Sequence, residues 1–330
     1  MPNVTPTAIE MPPFQMIETN GVTLRAVVMG DGPLVILVHG FPESWYSWRH
    51  QIGPLADAGF KVAAIDVRGY GGSDKPHPIG AYTYEAICAD IAGVADAIGG
   101  GQAILAGHDW GALLVWHTAL LYSDKITAVC GLSVPYTGAL PAPYIDIVRQ
   151  VYTAKNKFFY QVYFQDEGIA EAELEADVRK SLRTFYYALS GDAPLGSWPN
   201  DKPHGAKLLE GMEDPERFPA WLSRADIDYY TAEFTASGFR GPLNRYRTTR
   251  EDFAYLGGRD DDRILQPALY IGGTSDLVLR MIPGADLISQ MRAVVPELED
   301  AILLEGCGHW TQQERPEAVT KALTHWLATL

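Results

Sequence analysis

Apolar residues in this chain gather in short, dense runs separated by glycine-, proline- and acid-rich stretches. Leu34 to Val38, Val62 to Asp66, Ala103 to Ala106, Ala128 to Ser133, Ala268 to Ile271 and Ile302 to Leu304 each read as a strand without polar alternation. Such runs suit a mostly parallel sheet with both faces covered, so helices are expected between them. Residues 21–28 and the segment before them predict an antiparallel edge, for eight strands in all. Ala112 to Leu121 is an apolar helix, and Ala318 to Leu330 an amphipathic one that packs on the sheet.

The strand–helix rhythm stops between about residues 137 and 247, where the chain turns helical and rich in aromatics. We expect a core over 1–137 and 248–330, interrupted by an inserted helical lid over 138–247. Inside the lid, Ala170 to Leu189 carries Leu174, Val178 and Leu182 at helical spacing, predicting one helix with one buried face. Ser223 followed by Asp226 has the form of a capping box and opens a helix bearing Tyr229 and Tyr230. Gly191 to Lys207, dense in Gly, Pro and Asp, predicts a long irregular loop at the substrate entrance.

Gly107-His108-Asp109-Trp110-Gly111 lies between a strand and a helix and has the form of a nucleophile elbow with aspartate in place of serine. A carboxylate attacking an ester would give an anhydride that reverts, so carbonyl substrates are disfavoured. Against a polarised sp3 carbon it instead forms an alkyl ester that water hydrolyses in a second step, which points to an epoxide or an alkyl halide. That second step needs a base, an orienting acid and donors for an oxyanion. His309 sits just past one strand and Asp276 just past another, giving the chain order Asp109, Asp276, His309 of α/β-hydrolases. The backbone N–H groups of Trp110 and Phe41 are the candidate oxyanion donors, Phe41 lying in His39-Gly40-Phe41-Pro42 after an early strand. Trp110, Phe41 and Pro42 are also expected to line the substrate pocket.

Single His or Asp residues would carry little weight among eight histidines; joint occurrence in the right order carries the argument. Asp260, Asp261 and Asp262 precede their strand and belong at the wrong end of the sheet to replace Asp276. His108 and Trp110 either pack the elbow or touch substrate. Cys307, in a Gly-Cys-Gly turn, reads as a small residue that fits the backbone rather than as a nucleophile.

With these residues placed, the chain resembles α/β-hydrolases of the soluble epoxide hydrolase type. The likeness runs through 39–45 (HGFPESW), 66–73 (DVRGYGGS), the elbow and 306–310 (GCGHW), from about residue 20 to the end. Haloalkane dehalogenases are similar in fold and share a His-Asp-Trp-Gly elbow, so leaving-group chemistry must separate the two. An alkoxide needs a proton, whereas a halide needs only weak donors. The resemblance supplies two lid tyrosines for the former, and the segments 160–165 (YQVYFQ) and 238–247 (GFRGPLNRYR) match at Tyr160 and Tyr246. Tyr152, Tyr163, Tyr186, Tyr187, Tyr229 and Tyr230 read as packing residues, and Arg245 departs from the apolar residue expected there. The resemblance therefore implies an epoxide hydrolase giving a vicinal diol. A haloalkane dehalogenase, with Trp110 and a lid N–H holding halide, and a non-catalytic binding protein on the same fold are the alternatives.

Composition narrows the rest. At 330 residues and 47% hydrophobic, the chain can bury roughly three quarters of its unfolded surface without disulfide or metal. A net charge of -15 argues against nucleic-acid binding, which needs a basic footprint. Three cysteines fit a reducing cytoplasm. The first dozen residues, with Pro2, Pro6, Pro12 and Pro13, lack the pattern of a signal peptide, and no apolar run predicts a membrane span. The chemistry calls for no cofactor or metal, only an epoxide and water as partners, and a homodimer is compatible with the lid surfaces.

Overall fold

The computed structural model describes residues 11–194, 196–199, 201–259, 261–281 and 286–330. Pro2, Pro6 and Asp260, which the sequence analysis singled out, lie outside the described residues, as do positions 195 and 200 of the predicted loop. Eight strands form one sheet: β1 (Gln15–Thr19), β2 (Val22–Met29), β3 (Leu34–Val38), β4 (Lys61–Ile65), β5 (Ala103–His108), β6 (Ile126–Leu132), β7 (Ala268–Gly273) and β8 (Leu298–Leu304). Their order is β1-β2-β4-β3-β5-β6-β7-β8. β1 and β2 pair antiparallel through a turn at Asn20-Gly21, both at positive φ, and β2 is antiparallel to β4; the remaining pairs are parallel. This is the α/β-hydrolase fold.

The parallel strands β3, β5 and the body of β4 and β7 are buried along nearly their whole length, as their unbroken apolar sequences require. One face is covered by helices Tyr84–Gly99 and Trp110–Leu121. The other receives helix Pro316–Leu327, whose Val319, Leu323, Trp326 and Leu327 are buried with Val35, Leu37, Val62 and Ile271. The C-terminal amphipathic pattern thus finds the sheet it predicts. Parallel strands deliver all their C-terminal ends to one edge, so the residues that follow β3, β5, β6, β7 and β8 meet there.

Between β6 and β7 the described chain adds no strand to the sheet and runs through seven α-helices and one short 3-10 helix. Ala170 to Leu189, predicted as one helix, is two: Ile169–Glu175 and Val178–Ala188. Asp177 accounts for the break, because its side chain accepts a hydrogen bond from Lys180 N at 3.0 Å and caps a new start. The spacing of Leu174 and Leu182 survives as shared burial across the break. Ser223 and Asp226 form the predicted capping box of helix Arg224–Ser237, with Ser223 N donating to Asp226 Oδ2 at 2.7 Å. The irregular stretch extends beyond Lys207 to Leu222 and carries no helix or strand among its described residues.

Gly131 in β6 shows how tightly the sheet and its helices fit. A Cβ there would overlap the indole of Trp116, a fully buried residue of helix Trp110–Leu121. Gly131→Ala is expected to destabilise the fold by about 1–3 kcal/mol, read as a lower urea midpoint at unchanged m-value.

Candidate active site

Asp109 follows β5 at φ 55°, ψ -118°, a conformation that non-glycine residues rarely hold. The turn is forced from both sides. A Cβ at Gly107 would overlap the carbonyl of Gly111, and one at Gly111 would overlap the carbonyl of Val38. The sharp turn projects the carboxylate over the edge of the sheet, where Phe41 N donates to its Oδ1 at 2.9 Å. Trp110 begins the following helix, so its backbone N–H belongs to the first turn, whose donors have no helical partner.

His309 lies after β8 and Asp276 after β7, and the fold brings both to Asp109. His309 Nε2 is 3.4 Å from Asp109 Oδ2, and its Nδ1 is 3.2 Å from Asp276 Oδ1. All three side chains are largely buried. Burial pushes the Asp109 and Asp276 carboxyls up, but the bonds and charge of His309 outweigh it and hold both below the usual carboxylate value. Burial pushes the imidazole down, and the two carboxylates outweigh that too, raising it well above its ordinary value. One cation between two anions is the resting charge state.

Further carboxylates hold the backbone around these three. Glu43 accepts from Gly40 N at 2.8 Å and from His108 Nδ1 at 2.7 Å, while His108 Nε2 meets the carbonyl of His309 at 2.7 Å. His108 is fully buried, so its role is to tie the elbow to the histidine loop, not to touch substrate. Glu314 accepts from Gly308 N at 2.9 Å and Trp310 N at 3.1 Å, on both sides of His309, and from Gly191 N at 2.9 Å. His39 accepts from Val67 N at its Nε2, so its Nδ1 carries the proton and donates to Gly40 O. Glu43, Glu314 and Ser133, which contacts both Asp276 and His309, were missed by sequence reasoning. Their one signal is a polar residue beside a motif or at the end of a buried strand.

The rejected candidates sit elsewhere. Asp261 pairs with Arg263 on the surface, and Asp262 accepts from Ala139 N, both before β7 begins. Cys307 is buried, which pushes its thiol up and away from thiolate.

Tyr246, on helix Arg240–Arg247, and Tyr160, at the start of helix Tyr160–Tyr163, face each other with ring centroids 6.0 Å apart. Tyr246 stands edge-on to Trp110 at 5.0 Å and to Phe41 at 5.4 Å. Pro42 contributes its carbonyl to Tyr186 OH at 2.9 Å. Tyr152, Tyr163, Tyr186 and Tyr230 spend their hydroxyl protons on Met281 O, Glu173, Pro42 O and Gln313. By contrast, neither Tyr160 nor Tyr246 donates to any group among the described residues, and Tyr160 OH accepts from Gln161 Nε2 at 2.9 Å. Burial first, and the charge of Asp109 with it, raises both phenols well above their ordinary value, so both keep their protons at neutral pH. Arg245 lies between the rings of Tyr84 and Trp110 at 4.0 and 4.5 Å and pairs with Asp252 at 2.6 Å. Its charge is therefore neutralised inside the protein, behind Trp110. A cavity of about 210 Å³ opens beside Tyr160 between Phe158, Phe159, Trp198, Leu277 and Met281.

An aspartate elbow and a histidine–aspartate pair at the edge of the sheet, with two phenols on the helices between β6 and β7, make a site suited to a hydrolase. The family model of the α/β-hydrolase fold matches residues 33–316. Epoxide hydrolase A of Mycobacterium tuberculosis is 41% identical, over 97% of this chain and 98% of that protein. Bifunctional epoxide hydrolase 2 of Rattus norvegicus is 39% identical over 94% of this chain, which spans 54% of that longer protein. Among solved structures, an epoxide hydrolase from an endophytic Streptomyces aligns with a TM-score of 0.91 at 44% identity, covering 96% of this chain and 95% of that one. Epoxide hydrolase A from Mycobacterium thermoresistibile gives 0.89 at 42%, with 96% and 98% covered. The chain belongs to the α/β-hydrolase fold family, in the branch that holds these epoxide hydrolases.

The charge state of His309 can be read directly. In the resting protein its imidazole is expected to stay protonated above pH 6.5, and Asp109→Ala, by removing one of two anions, should bring its titration down. Nitrogen-15 NMR of labelled histidine checks both; a His309 that titrates alike in the two proteins would refute the shared-proton arrangement.

Proposed function

We propose that this protein is an epoxide hydrolase that forms a covalent ester on Asp109 and releases a vicinal diol. The observation that carries the reading is the pair of proton-bearing phenols, Tyr246 buried and Tyr160 half-buried, with no protein acceptor among the described residues, close to a carboxylate nucleophile. A leaving alkoxide needs such acids, and a leaving halide does not. The same reading is supported by the activity for which this chain's relatives are named. In this scheme residues 138–247 act as the lid that brings the phenols over the nucleophile.

Asp109 Oδ1 is held by Phe41 N, which leaves Oδ2 to attack an epoxide carbon from behind. The C–O bond to the ring oxygen breaks, and a tyrosine hydroxyl gives its proton to the departing oxygen. Alkylation removes the charge of Asp109 and with it part of what kept His309 protonated, so the imidazolium gives up its Nε2 proton, which restores the one the tyrosine lost, and the neutral imidazole becomes a competent base. His309 Nε2 takes a proton from water as the water oxygen attacks the ester carbon. The oxyanion develops on Oδ1, against the N–H of Phe41 and within reach of that of Trp110. Collapse expels the diol alkoxide, which takes the proton from His309. The second water proton, left on the new carboxyl, passes to His309 and restores the imidazolium beside the Asp109 carboxylate. Trp110, Phe41 and Pro42 serve as the pocket wall.

In this scheme Oδ2 departs with the product and the water oxygen stays on Asp109. A single turnover in oxygen-18 water should therefore label Asp109 and leave the diol unlabelled; label in the diol would exclude the ester. His309→Gln is expected to accumulate a protein heavier by one epoxide in intact mass, and Asp109→Ala to form none and turn nothing over. Tyr160→Phe and Tyr246→Phe should each slow ester formation by about 100-fold or more, measured by stopped flow. With styrene oxide and 1-bromobutane offered side by side, diol without bromide is expected; bromide without diol would mean that the phenols are packing.

A further inference from the structure

Ser133, the first residue after β6, has three features that the scheme above leaves unused. It is fully buried, it holds φ at 71°, and its hydroxyl lies between the acid and the base. Its Oγ donates to Asp276 Oδ2 and stands 2.8 Å from His309 Nδ1, closer than either Asp276 oxygen at 3.2 and 3.3 Å. Because the one hydroxyl proton is given to the carboxylate, the oxygen is free to accept Nδ1–H of the imidazole.

The backbone is strapped in this conformation from three directions. Ser133 N donates to Ile271 O at 2.8 Å, Tyr270 OH donates to Ser133 O at 2.8 Å, and Val134 N closes on Leu132 O at 2.8 Å across a three-residue turn. Such a turn with a non-glycine residue at positive φ is rare and strained. Glycine would fill the turn at lower cost. The side chain kept at this position is one that completes the hydrogen bonding of Asp276, whose other oxygen already accepts from Val278 N at 2.9 Å.

We propose that Ser133 is a positioning residue whose hydroxyl bridges the Asp276 carboxylate and His309 Nδ1, holding the imidazole with Nε2 toward the ester on Asp109. The inference rests on the two-step reading above and concerns its second step alone. Ester formation uses Asp109 and the phenols, none of which Ser133 touches. Ester hydrolysis uses His309, and there the hydroxyl acts.

Ser133→Gly and Ser133→Ala both remove the hydroxyl, but only glycine also relieves the positive φ. Rapid-quench single turnovers with styrene oxide and intact mass detection measure formation and decay of the ester separately. Both variants are expected to form ester at the wild-type rate and to hydrolyse it about 10- to 100-fold more slowly, the range supported by a hydrogen bond to a charged group. Ester should then accumulate in the steady state in both. If Ser133 only shapes the turn, Ser133→Gly will hydrolyse its ester as fast as the wild type, and the inference is overturned. Slowing of ester formation as strongly as hydrolysis, in both variants, would equally overturn it, because the site as a whole would have shifted. A wild-type protein that yields diol with no ester at any time would sink the two-step reading itself and this inference with it.

Discussion

One imidazole shared by two buried carboxylates is the constraint around which the rest of this structure is arranged. Asp109 and Asp276 are each within about a hydrogen bond's reach of His309, on its two nitrogens, and none of the three has much access to water. A buried charge without its partner costs about 3–5 kcal/mol, so the geometry has little freedom. Either all three groups hold their places, or each becomes a liability to the fold. The arrangement also stores a change of state. Removing the charge of Asp109 would lower the proton affinity of the imidazole.

Three strand ends must converge to build that arrangement, and the parallel sheet makes them do so. β5, β7 and β8 deliver Asp109, Asp276 and His309 to one edge, and β6 between β5 and β7 adds Ser133. Loops alone would not fix atoms to tenths of an ångström. Here Glu314 holds the backbone on both sides of His309, and Glu43 with His108 ties the β3 loop and the elbow to the carbonyl of that same residue. These carboxylates are buried, and each accepts from fixed backbone N–H groups.

The helical segment between β6 and β7 adds what the sheet lacks. Its aromatic side chains surround Phe41, whose ring is edge-on to Phe164, Phe185, Phe239 and Tyr246. That packing sets Tyr246 against Trp110, the residue beside Asp109. Burial, with the charge of Asp109, raises both phenols above their ordinary value, and neither gives its proton to a protein group among the described residues.

The sequence by itself determined the sheet, its mixed edge and the meeting of Asp109, Asp276 and His309, because those depend on local signals: unbroken apolar runs, glycines flanking a sharp turn, and polar residues just past strand ends. A resemblance, and not their frequency in the chain, singled out Tyr160 and Tyr246 as candidates. Only the tertiary structure decided what depends on contacts far apart in the chain. His108 had equal claims as packing or contact until its two nitrogens met Glu43 and the His309 carbonyl. Arg245, out of pattern as a residue type, became intelligible between Tyr84 and Trp110 with Asp252 behind it. The break at Asp177 was hidden because a side-chain cap competes with helical periodicity that continues across it. Ser133 was invisible for a similar reason. A serine at a strand end has no meaning until residues 143 and 176 positions away arrive beside it, and that is a property of the fold rather than of any segment.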